Sequence, residues 1–169
     1  MEHTKKCMKQ VKSESSGKLG SNKSSMKSVI YKFDPVIYPF KLLVSKNFDG
    51  KELGEKFYCV NDIGELDDAP AEFIVSQRTV ARTIQCAGKK DRDTYMMILL
   101  CRPKVIGNGT IAHESMHVAN IVAEWLGFFP KDSMQDEPCA YIAQWVANCI
   151  GCVIENKINY MNGERVKSI

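Results

Sequence analysis

Residues 94–127 read TYMMILLCRPKVIGNGTIAHESMHVANIVAEWLG, and a change of period inside this stretch decides the fold. Tyr95-Met96-Met97-Ile98-Leu99-Leu100 is apolar at every position. A run of that length with both faces apolar reads as a strand buried inside a sheet. Pro103 ends it, because proline cannot donate to a ladder. Beyond Pro103 the apolar residues Ala112, Met116, Ala119, Val122, Ala123 and Leu126 recur at helical spacing. Thr110 is expected to cap this helix and Gly127 to stop it.

Upstream the β-like pattern extends back to Val29. Tyr38 to Val44 is apolar, with Pro39 near its start, where a strand tolerates it. Asn47-Phe48-Asp49-Gly50 is a turn signal. Phe57 to Val60 and Phe73 to Val75 are short β-prone runs, and Arg78 to Cys86 is a longer one. Gly88 to Asp93 is a polar turn leading into the strand at Thr94. Downstream, a second helix is expected from near Asp136, with Pro138 in its first turn, to about Asn156. Strands first and helices afterwards predict an α+β domain, a small antiparallel or mixed sheet followed by two packed helices.

The 169 residues suit one domain with tails. Residues 1–28 hold seven lysines and two glutamates, a balance of +5, and almost no large apolar groups. Such a segment buries too little surface to offset its ordering entropy, so it is expected to be a disordered basic tail. Residues 29–156 form the domain, and 157–169 read as a polar, frayed C-terminal tail. The chain beyond residue 28 holds 16 basic and 18 acidic residues, a balance of −2. The domain therefore has no obvious phosphate-binding footprint; the lysine-rich tail is the one segment that could touch nucleic acid, and it reads first as simply solvated. No apolar run reaches the ~18 residues that span a membrane. The polar N-terminus lacks the apolar centre of a secretory signal, which points to the cytoplasm.

The seven cysteines are irregularly spaced and odd in number, and several lie in apolar stretches. They read as reduced, buried thiols. Cys149 and Cys152 form a C-x-x-C, but it falls inside a helical apolar pattern, with no second pair to complete a four-thiolate site.

His113-Glu114-Ser115-Met116-His117 is an H-E-x-x-H set on the first helix. Residues four apart lie one turn apart on one face, so both imidazoles can reach a single zinc ion. Glu114 is placed to accept a proton from metal-bound water. A catalytic zinc keeps three protein ligands and one open position. Glu124 lies seven residues past His117, ~10 Å along the helix, too far for the same ion. That leaves Glu137, in the first turn of the second helix, with Asp132 and Asp136 as alternatives in or near the connecting loop.

His113-Glu114-Ser115-Met116-His117, followed twenty residues later by Glu137-Pro138-Cys139-Ala140-Tyr141, resembles the gluzincin branch of the zincin metallopeptidases. The order of small strands, H-E-x-x-H and D-E-P-x-A-Y is similar to that of small zinc peptidases of bacteriophages and prophages. The resemblance covers roughly residues 29–153. It implies a zincin-like fold, zinc held by His113, His117 and Glu137, Glu114 as general base, and a peptide or protein substrate. The longer metzincin motif would need Gly at 120 and His at 123; Asn120 and Ala123 exclude it. The acid that often follows the gluzincin glutamate by four residues is replaced by Tyr141. Tyr141 could donate to the oxyanion or simply pack. In related folds an edge strand holds the extended substrate, and Thr94 to Cys101 or its hairpin partner Arg78 to Cys86 could supply that edge.

Overall fold

The structure is a computed structural model and describes residues 28–61, 64–68, 73–127 and 137–166. The buried run of the sequence becomes the centre of a seven-stranded mixed sheet. Its strands are β1 (Val29–Phe33), β2 (Lys41–Lys46), β3 (Phe57–Val60), β4 (Leu66–Asp67), β5 (Ala81–Gly88), β6 (Thr94–Leu100) and β7 (Glu164–Arg165), in the spatial order β4-β3-β5-β6-β2-β1-β7. Among the described residues only β2 and β6 run parallel, with Lys41 opposite Tyr95 and Lys46 opposite Leu100. Among the described residues three α-helices complete the α+β fold: α1 (Gly50–Lys56), α2 (Asn108–Leu126) and α3 (Glu137–Glu155).

Period-2 alternation splits β6 between two cores. Met96, Ile98 and Leu100 pack with Val118, Ala119 and Val122 of α2 and with Ile142, Val146 and Ile150 of α3. Tyr95, Met97 and Leu99 face the other way, onto Leu53 of α1, Phe57 and Phe73. Both faces of the central strand are thus buried, as its unbroken apolar run requires. Among the described residues, no helix is long and apolar enough to cross a membrane.

Several local expectations are corrected. The turn at Asn47–Gly50 leads into α1, capped by Asp49, whose Oδ1 accepts from the Lys51 N–H at 2.9 Å. Phe73 to Val75 is not a strand: Phe73 is a fully buried plug against Phe57, and Ile74 and Val75 have no ladder partner among the described residues. Gly107, not Thr110, caps α2, so Thr110 lies inside the first turn. Gly127 ends α2 as expected, in the left-handed region at φ 69, where glycine has no Cβ to clash. The polar residues after α3 do not fray over 157–166. Ile158–Met161 form a 3-10 helix, and β7 pairs antiparallel with β1, Lys32 bridging Glu164 at 2.5 Å. The basic tail lies outside the described residues except for Ser28. Its N–H donates to Glu52 at 3.0 Å, and its hydroxyl accepts from the Asp49 N–H at 2.9 Å.

Candidate metal centre

Helix α2 buries Glu114, Ser115, Val118, Ala119, Val122 and Ala123, a stripe repeating every three to four residues. His113 and His117 flank that stripe and are exposed. Their Nε2 atoms lie 3.0 Å apart, with the rings perpendicular and their centroids 4.5 Å apart. Without a metal, that contact requires one imidazole to donate and the other to accept. Two nitrogens on one tetrahedral zinc, each at ~2.0–2.1 Å, lie ~3.3–3.4 Å apart. The pair therefore fits a shared ion with only a small adjustment of the rings.

Glu114 differs sharply from its neighbours and is only 6% exposed. Helix α2 crosses β5, and Thr83 rises from that strand to donate its hydroxyl to Glu114 Oε2 at 2.7 Å. Among the described residues no buried side-chain polar atom lacks a partner. Among the described residues the other Glu114 oxygen has no hydrogen-bonding partner, so it keeps contact with solvent. Nearby, burial and then the Glu114 charge push the Cys101 thiol up to about 11, so Cys101 stays protonated at neutral pH. Thr83 went unread in the sequence. The available signal was strand alternation: Ala81 joins the helix-side core while Ile84 and Cys86 belong to the opposite one, which leaves Thr83 facing α2.

Glu137 is not brought together with the two histidines in a metal-holding group. Glu137 is exposed in the first turn of α3, and Tyr141, one turn on, is 63% exposed. Among the described residues no three His, Cys, Asp or Glu side chains come together as a metal-holding group. Helix α2 itself runs nine residues past His117, from 117 to 126. Asp132 and Asp136 lie outside the described residues. Cys139 is buried in the helix-side core rather than at the histidines.

The edge beside Glu114 is also defined. Strand β6 lies between β5 and β2, so Thr94 to Leu100 offers no open edge. Strand β5 pairs with β3 only over Cys86 to Gly88. Backbone direction alternates along a strand. Gly88 N–H bonds Asp93 on the β6 side, and Lys89 N–H bonds Lys56 on the β3 side. By that alternation the outward backbone groups are those of Ala81, Thr83 and Gln85. Among the described residues no strand pairs with them. Comparison with protein-family models, curated proteins and solved structures finds no match to this chain.

Proposed function

We propose that this chain is a zinc-dependent metallopeptidase acting in the cytoplasm on a peptide or protein substrate. One observation carries the reading: two exposed imidazole nitrogens 3.0 Å apart beside a nearly buried glutamate on the same helix. His113 and His117 would hold the ion, and Glu137 is the proposed third ligand. That role requires the first turn of α3 to approach His117 more closely than it stands here. Zinc, when bound, would polarise the scissile carbonyl and acidify the attacking water. Glu114 would accept that water's proton through its solvent-facing oxygen and later hand it to the leaving amine. Thr83 would fix the carboxylate by holding the other oxygen. The substrate would lie extended along Ala81, Thr83 and Gln85, main chain to main chain. Tyr141, exposed one turn after Glu137, would be the oxyanion donor.

A second reading, a non-catalytic zinc-binding structural or assembly protein of a phage or mobile element, is favoured by one fact. No third ligand joins the histidines among the described residues. A peptide-library cleavage assay on zinc-loaded wild type and Glu114→Gln separates the two. Cleavage by the wild type that is lost in Glu114→Gln, with zinc content unchanged, supports the peptidase. Zinc bound by both proteins with no cleavage by either supports the structural protein.

A further inference from the structure

On the face of the sheet away from α2 and α3, Cys59 of β3 lies directly opposite Cys86 of β5. Antiparallel neighbours alternate between hydrogen-bonded pairs and non-hydrogen-bonded pairs, and side chains approach more closely in the second kind. The Gly88 amide points to β6 and the Lys89 amide to β3. Counting back by alternation, Ala87 bonds Tyr58, and Cys86 with Cys59 is a non-hydrogen-bonded pair. Cα atoms of such a pair lie ~4.5 Å apart, within the ~4.4–6.8 Å that a disulfide spans. Both side chains enter the same core, beside Phe57, Ile84 and Met97, and both are thiols in this structure.

We infer that Cys59 and Cys86 are a redox-modifiable pair, which a low-molecular-weight disulfide oxidises to a cross-strand disulfide. The register alone brings them together; none of the other described cysteines faces another across a ladder. One protein thiolate attacks the small disulfide, forming a mixed disulfide and expelling one small thiolate. The second protein thiolate then attacks the mixed disulfide at the protein sulfur and expels the other. The two protein thiols lose two protons and two electrons, and the small disulfide becomes two thiols. Both cysteines are buried, at 5% and 0% exposure, so the exchange must wait for local opening. Strand β3 suits that opening, because among the described residues only the two-residue β4 lies outside it. The closed loop would tie β3 to β5 just where the outer side of β5 becomes unpaired.

The test uses the full folded chain without added zinc, so it does not depend on the proposed activity. The protein is incubated with glutathione disulfide, quenched in acid, alkylated and mapped by mass spectrometry without reduction. The expected result is a chain lighter by two hydrogens, with the Cys59 and Cys86 peptides joined, and both alkylated again after reduction. The linked protein should also melt at a higher temperature than the reduced one, since the link constrains the unfolded chain. Cys149→Ser should form the link as readily as the wild type. Three results would overturn the inference: both thiols remaining alkylated, a link at another pair such as Cys149 with Cys152, or a stable mixed disulfide on either Cys59 or Cys86.

Discussion

Glu114 is the residue on which the account turns, because a nearly buried carboxylate needs a reason to be there. Thr83 satisfies one oxygen and leaves the other for a proton. Glu114→Gln preserves shape and the contact with Thr83 but removes the proton acceptor. It should lower turnover by roughly 10²–10⁴-fold while leaving zinc bound, measured as kcat beside metal content. Thr83→Val removes the hydroxyl at nearly constant volume. It should lower kcat by roughly 10- to 10²-fold, since a hydrogen bond to a charged group contributes ~1.5–3 kcal/mol, and Thr83→Ser should restore most of that loss. An unchanged kcat in Thr83→Val would remove Thr83 from the machinery. His113, Glu114 and His117 were legible in the sequence because their relation is local, set by helical pitch alone. The Thr83 contact spans 31 positions and depends on how α2 lies across β5, which no spacing rule encodes. The same limit applies to Glu137, whose distance from His117 depends on how α3 packs beside α2.

At the scale of elements, the strongly periodic ones were readable: β6 from its unbroken apolar run, α2 and α3 from their apolar stripes. Helix α1 was not, since seven residues containing Gly50 and Gly54 give little helical signal. It forms because Asp49 caps it and Leu53 is drawn into the core beneath the sheet. Strand β7 was not readable either: two exposed residues, Glu164 and Arg165, become a strand only because β1 offers an edge. Glu52 ties α1 to the start of β1. The hydrogen bond from Lys56, followed by the one from the Ser28 backbone, lowers the Glu52 carboxyl from 4.5 to about 2 against the opposing effect of burial. A folded-state pKa below the unfolded value gives stability that is fully present above pH 4.5 and is lost as pH falls through 4.5 towards 2. Glu52→Gln should therefore cost about 1 kcal/mol at pH 7, after allowance for solvent screening of a partly exposed pair. Urea melts should show that cost vanishing near pH 2, and an equal cost at both pH values would contradict the assignment.

Across the whole molecule, the two ends of the chain should behave differently. Gly163 sits where a Cβ would come within 2.3 Å of the Phe33 ring and 2.7 Å of Ile158, so the return of the C-terminal segment onto β1 depends on it. Gly163→Ala should lose about 1–3 kcal/mol by overpacking, read as a lower denaturation midpoint. Deleting residues 1–25 should leave the melting temperature nearly unchanged, because that lysine-rich composition offers no core contacts. A large drop would mean that the segment docks on the domain.

The α+β sheet, the two imidazoles and the glutamate behind them meet in one proposal, that the chain holds zinc through His113 and His117. Equilibrium dialysis of the folded protein against zinc, followed by metal analysis, tests it directly. About one zinc per chain is expected for the wild type and for Glu114→Gln, with most of the affinity lost in His113→Ala and in His117→Ala, and weakened in Glu137→Ala. A folded wild-type protein that takes up no zinc, or histidine variants that bind it as tightly as the wild type, would contradict the account.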